Sequence, residues 1–174
     1  MKSIKELYRI GTGPSSSHTM GPRKAAEMFV TRHAAKFKVT LYGSLAATGK
    51  GHMTDVAIID TLEPTAPVEI IWQPKVFLPF HPNGMTFAAF DTDDKLIENW
   101  TVYSIGGGAL AENSDTPSIE SRDVYGMNSM TEILEWCERS GKGYWEYVKE
   151  CEDSDIWDYL NEVWKTMIDS IRRG

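Results

Sequence analysis

The sequence predicts an α+β fold: a mostly antiparallel sheet of about four strands, backed on one face by two helices, with more helices at the C-terminal end. Three observations carry this expectation. Residues 36–44, 85–91 and 96–105 alternate apolar and polar side chains, the period of a strand with one buried face. Residues 22–36 and 54–62 repeat their apolar side chains at helical spacing. From residue 129 onward the chain changes character to MTEILEWCERS, GYWEYVKEC and DIWDYLNEVWKTMIDSIRR, all helical in pattern. A boundary near Val124 separates a first domain, residues 1–124, from a helical segment, residues 125–174.

Each element follows in order. Residues 3–9 form a short helical turn anchored by Leu7 and Ile10. Residues 11–22, GTGPSSSHTMGP, are too poor in large apolar side chains for a core element and read as a loop running into a helix. Ser15, Ser16, Ser17 and Thr19 supply hydroxyls of the kind that cap helices, and Pro22 fits a first helical turn. That helix turns Ala25, Met28, Phe29 and Arg32 to one side. In the strand at 36–44, Phe37, Val39 and Leu41 form the buried face. Residues 45–50 make a short helix or turn. Thr54 then caps a helix whose apolar face is Val56, Ile59 and Leu62, ended before Pro64.

Residues 64–82 hold five of the eight prolines around two short runs, VEIIW and VFLPF, which suits loops and edge strands. Residues 85–91 and 96–105, joined by Thr92-Asp93-Asp94-Lys95, read as a hairpin. Gly106, Gly107 and Gly108 mark a close approach of backbone or ligand. Residues 112–123 are polar, as expected of a mobile loop. At the end of the chain Ile156, Trp157, Leu160, Val163, Trp164, Met167, Ile168 and Ile171 share one stripe of a helix capped by Asp153 or Ser154. Two tryptophans on that stripe predict either pairing with a second copy or burial in a core.

Composition narrows the function classes. The chain has 174 residues, 41% of them hydrophobic, and a formal net charge of −7. No basic stripe is present, so nucleic acid is not an expected partner. No apolar run approaches the roughly 18 residues of a membrane span. The N-terminus MKSIKELYRIG is too polar for a signal peptide. Two cysteines suit a reducing cytoplasm without a disulfide framework. The chemistry-bearing side chains collect in the 11–22 loop and around GHMTD, where His52 and Asp55 stand three residues apart. Free N–H groups, the positive end of a helix dipole and several hydroxyls suit an anion such as a carboxylate or phosphate.

Four motifs in series, SSSHTMGP, GSLAATGKGHMTDVAIID, HPNGMTFAAFD and YSIGGGA, resemble the N-terminal beta domain of the bacterial iron–sulfur L-serine dehydratases. The resemblance covers residues 3–110, and the later helices resemble more loosely the linker and first helix of that family's catalytic domain. It implies deamination of L-serine to pyruvate and ammonia with a [4Fe–4S] cluster, within serine catabolism. It also implies a fold similar to the allosteric substrate-binding domain of some phosphoglycerate dehydrogenases. Carried over by motif, Ser16, Ser17, Thr19, Asp55, Asn83, Ser104, Gly106 and Gly107 become substrate-binding residues, and His18 and His52 the catalytic ones. A histidine is well suited to proton transfer near neutral pH, and His52 is the preferred base.

One feature departs from the family. A [4Fe–4S] cluster needs three or four thiolates, and Cys137 and Cys151 are the only cysteines. This chain is therefore expected to bind no cluster. The cluster would lie in a catalytic alpha domain after Gly174 or in a separate subunit, making the chain a fragment or subunit, inactive alone and part of a homo-oligomer. Two other readings stay open: a stand-alone module that binds serine or another carboxylate, and a hydrolase using Ser17 and His18. The last lacks a GxSxG turn, and neighbouring Ser and His in sequence do not set up a nucleophile–base pair.

Overall fold

The computed structural model describes residues 1–30, 33–112 and 123–174. It is α+β, and the chain divides into two compact units. One comprises Gly11–Ile119; the other joins Met1–Ile10 to Glu120–Gly174.

The first of these is a sheet covered by helices. Its elements run α2 (Gly21–Phe29), β1 (Lys36–Tyr42), α3 (Gly43–Thr48), α4 (Thr54–Leu62), β2 (Val68–Gln73), β3 (Gly84–Phe90), β4 (Leu96–Gly106) and β5 (Ala109–Ala111). α1 (Ile4–Leu7) belongs to the other unit. The strand order is β2-β1-β3-β4-β5. β3 and β4 form the expected hairpin, with Thr86 directly opposite Thr101 and their hydroxyls 2.8 Å apart. In β1, Phe37, Val39 and Leu41 are buried, as the alternation requires. They join Ala25, Ala26 and Phe29 of α2, Ile58 and Leu62 of α4, and Phe87 of β3 in one core. Phe29 lies at its centre, with its ring centroid 5.4 Å from Phe87 and 6.4 Å from Trp100.

The sheet corrects the sequence reading in two ways. It has five strands rather than about four, and it is mixed, because β2 pairs parallel with β1. The cause is the crossover: α3 and α4 lie between the two strands, and a helical connection returns the chain to the end where β1 began. VFLPF forms no strand. β5 is a three-residue strand after a glycine turn, too short for any periodicity to reveal.

The helices also differ in detail. α2 ends at Phe29, where the Val30 N–H closes on the Ala26 carbonyl, instead of running to residue 36. Its buried face is Ala25, Ala26 and Phe29, and Met28 faces solvent. Arg32 and most of the 112–123 stretch lie outside the described residues. α4 has the expected bounds, but it buries Thr54, Ala57, Ile58 and Leu62 and exposes Val56. Thr54 is its first helical residue and not its cap.

The other unit comprises α1, α5 (Met130–Ser140), α6 (Tyr144–Cys151) and α7 (Ile156–Arg173). Tyr125, Ile133 and Tyr147 are its buried cluster, against which Ile4, Trp136, Cys137 and Cys151 pack. Leu7, expected as an anchor, is 75% exposed, and Ile10 is exposed as well. The amino-terminal segment is held by polar contacts instead. The buried Glu152 carboxylate accepts hydrogen bonds from Ser3 Oγ at 2.6 Å, the Ile4 N–H at 2.7 Å and the Tyr125 hydroxyl at 2.6 Å. Burial pushes the Tyr125 phenol up, and the adjacent carboxylate adds to the effect. The N-cap position of α7 is Asp155 rather than Asp153 or Ser154, and its side chain makes no cap but pairs with Lys5. Ile156 and Val163 are buried on α7, whereas Trp157, Trp164, Met167 and Ile171 are exposed.

Burial opposes ionisation of Glu152, but the three donors outweigh it and hold its carboxyl below the usual value of 4.5. A depressed carboxyl stabilises the fold above its unfolded pKa and loses that contribution as pH falls through the folded one. This unit should therefore weaken below about pH 4.5. At neutral pH, Glu152→Ala should cost about 1–3 kcal/mol by leaving a buried donor unpaired. Urea titration followed by tryptophan fluorescence measures both effects.

Candidate active site

Two short segments build the site: the serine-rich turn before α2 and the loop before α4. Ser15 caps the first. Its Oγ accepts the His18 N–H at 3.1 Å, and its carbonyl accepts the Thr19 and Met20 N–H groups. Ser16–Met20 is a single π-helical turn continuous with α2. Such turns recur at functional sites, and five residues carry no period by which to foresee one. The Gly21 N–H closes the turn on the Ser16 carbonyl. Gly21 must be glycine: a Cβ there would lie 2.2 Å from Ser104 Oγ on β4.

The turn carries His18 inward. Its Nδ1 lies 3.0 Å from Ser17 Oγ and its Nε2 3.2 Å from Ser44 Oγ, in the first turn of α3. Ser44 is itself fixed, its N–H donating to the Pro82 carbonyl at 2.9 Å. The His18 ring centroid is 4.8 Å from that of His52, with the planes tilted by 43°. Burial holds the His18 imidazole below its ordinary 6.5; the His52 ring adds to this, and a hydrogen bond from the ring to the Ser44 backbone opposes it.

His52 belongs to the turn before α4. Its Nδ1 lies 3.0 Å from the Thr48 carbonyl. A carbonyl only accepts, so Nδ1 carries the proton and Nε2 of the neutral ring keeps its lone pair. Nε2 has no hydrogen-bond partner among the described residues. Two buried hydroxyls join the segments: Thr19 Oγ1 donates to the His52 carbonyl at 2.7 Å, and Thr54 Oγ1 donates to the His18 carbonyl.

The structure thus brings Ser17, His18, Thr19 and His52 together. Ser16 is exposed at the start of the π turn. Asp55 makes no hydrogen bond to His52; its Oδ1 accepts the Val56 N–H at 3.0 Å. Asn83 and Ser104 pair with each other, through Asn83 Nδ2 to the Ser104 carbonyl at 3.3 Å and the Ser104 N–H to the Asn83 carbonyl at 3.0 Å. Ser104 Oγ is fully buried against Gly21 and has no hydrogen-bond partner among the described residues. Gly106, Gly107 and Gly108 have φ of 103°, 58° and 74° and turn the chain into β5. Sequence reasoning missed Ser44, Thr48 and Thr54 as members of the site. Their signal is only that Ser44, Thr48 and Thr54 fall inside GSLAATGKGHMTD.

Ser17 and His18 are also closer to a nucleophile–base pair than adjacency in sequence suggests. However, the far nitrogen of His18 meets a serine hydroxyl rather than the carboxylate that orients a hydrolytic histidine. No group of three or more metal-ligating His, Cys, Asp or Glu side chains occurs among the described residues. Cys137 and Cys151 are half-buried in an apolar cluster and too few for an iron–sulfur cluster. The residues present do not fit that group. No described helix is long and apolar enough to cross a membrane.

Comparison with known proteins adds a family. Residues 3–70 and 62–115 match the model of the family described as serine dehydratase beta chain. L-serine dehydratase 1 of Escherichia coli is 31% identical over the whole of this chain and 49% of its own length. The L-serine dehydratase of Haemophilus influenzae is 30% identical over all of this chain and 49% of its own length. That of Mycobacterium bovis is 35% identical over 62% of this chain and 32% of its own length. The chain spans about half the length of the first two relatives.

His18 should titrate below 6.5 in the purified chain, because burial and the neighbouring ring both disfavour its cation. Its contribution to stability is present above that value and is lost as pH falls. In His52→Ala the titration of His18 should move up. NMR titration of the ring protons checks both expectations.

Proposed function

The chain belongs to the serine dehydratase beta chain family, and from that membership we propose that it is the substrate-facing part of an L-serine ammonia-lyase that converts L-serine to pyruvate and ammonia. In this reading the [4Fe–4S] cluster resides on a catalytic alpha domain or subunit, in the cytoplasm. Two cysteines fall short of the three or four thiolates that such a cluster takes.

The observation that supports the reading best is the approach of His52 Nδ1 to the Thr48 carbonyl. With Nδ1 committed to the Thr48 carbonyl, Nε2 is the atom that would take the α-proton of serine. His18, held neutral by burial and flanked by the Ser17 and Ser44 hydroxyls, would lie beside the substrate without adding positive charge next to the base. Ser16 and Ser17, in the first turn of a helix, would hold the substrate carboxylate with hydroxyls and the unpaired N–H groups that every helix start presents. Asn83, Ser104, Gly106 and Gly107 would shape the floor, and Asp55 the rim. Thr19, buried and with its hydroxyl committed to the His52 carbonyl, would act through His52 rather than on the substrate itself. The exposed apolar residues of α7 suit a protein partner, and pairing with a second copy is the expected use.

Three experiments test this reading. With the cluster-bearing partner supplied, His52→Ala should lower turnover about 10²–10⁴-fold, and Ser17→Ala should raise KM more than it lowers kcat. Near-normal turnover of His52→Ala would reduce the residue to a structural one; serine binding without turnover under any partner would favour a regulatory module. Light scattering should show a dimer that Trp164→Glu, at a position 60% exposed, converts to monomer.

A further inference from the structure

Thr19 and Thr54 carry the only described side-chain hydroxyls that bond to the backbone of the opposite histidine segment. Thr19 follows His18 directly, and its Oγ1 donates to the carbonyl of His52. Thr54 stands two residues after His52, and its Oγ1 donates to the carbonyl of His18. The two bonds are reciprocal: each histidine's own carbonyl is fixed by the threonine of the other segment. Both threonines are buried, at 3% and 0% exposure, so water cannot replace either bond without opening the core. Thr19 Oγ1 also accepts the Ser15 N–H at 3.2 Å, which ties the arrangement to the cap of the π turn.

Between His52 and Thr54 stands Met53, at φ 56° and ψ 34°. A left-handed conformation is unusual for a residue with a long side chain. Here it reverses the chain within one residue, so that the His52 carbonyl meets Thr19 while the next hydroxyl meets His18. The Thr54 N–H is fixed in turn by the Gly49 carbonyl at 2.9 Å. The strain at Met53 is thus held by bonds on both sides, as a strained residue at a functional site requires.

We propose that Thr19 and Thr54 are positioning residues, a two-way hydroxyl latch that sets the spacing of the His18 and His52 rings at the active site. Each hydroxyl is committed to a backbone carbonyl and acts through the histidine it holds. The role of the latch in the reaction rests on the serine ammonia-lyase reading, but its geometry does not, and the two can be tested apart.

The purified chain carries the decisive measurement. With ring centroids 4.8 Å apart, the two imidazoles should give a through-space proton cross-peak in NMR. Thr19→Val and Thr54→Val keep side-chain shape and remove the hydroxyls. Together they should abolish the cross-peak, while Thr19→Ser with Thr54→Ser should restore it. Either single valine variant carries the same test if the double variant unfolds. A cross-peak of unchanged intensity in folded valine variants overturns the latch, whatever the enzyme turns over. With the cluster-bearing partner, the valine variants should lose kcat with little change in KM, and serine at both positions should recover it. Loss of the cross-peak with full kcat would overturn the role in the reaction and leave the geometry standing.

Discussion

The arrangement depends on how closely α2 lies against β4. At Gly21 the helix has no side chain, and the Ser104 side chain occupies the space a Cβ would need. That contact fixes the height of the helix start above the sheet, and with it the π turn that precedes Gly21. From there the geometry propagates by short steps. The π turn presents His18; the buried threonine hydroxyls bind its segment to the loop before α4; and α3 brings Ser44 against the far side of the ring. Apolar burial around Phe29 supplies the bulk of the cohesion, at about 25 cal/mol per Å², but it is not directional. The close approach at Gly21 is what turns a packed sheet and helix into a placed imidazole.

Much of this fold was legible because local pattern and tertiary burial agree. β1 alternates as a half-buried strand should, and its three apolar residues are the sheet's own contribution to the core. The β3–β4 hairpin has its polar connection where the alternation stops. Where the reading failed, distance in sequence decided the outcome. The direction of β2 follows from where α3 and α4 return the chain, which no property of VEIIW encodes. α4 has the right ends and a different buried face, because Thr54 is drawn inward by the His18 carbonyl and turns Val56 out. Likewise Leu7 is exposed because Glu152 secures the amino-terminal segment through Ser3 and the Ile4 N–H, leaving apolar anchoring unnecessary.

The site was legible in a different way. Both histidines stand out, since each lies in a polar, glycine-rich segment with no packing reason to be there. What the sequence does not contain is the wiring between them. Ser44 lies 26 positions from His18 and Thr54 36 positions from it, and a serine or threonine in such a segment is equally at home as a cap or a surface residue. Their roles exist only once the chain has closed. Thr19 illustrates the limit: the motif groups it with Ser16 and Ser17, yet the π turn rotates it away from them and into the interior.

The division of the chain has a consequence for its synthesis. Everything the histidine pair needs lies within Gly11–Ile119, an uninterrupted stretch, whereas the second unit is made from both ends of the chain. On a ribosome the first can close as soon as β5 has emerged. The second must wait, because Ser3 and Ile4 find their acceptor on Glu152, nearly 150 residues later. Domains completed early in translation generally fold early, and contacts between distant residues are slow to form. The amino-terminal decapeptide therefore spends most of translation without its acceptor. The site-bearing sheet, guest within a late-closing host, matures first.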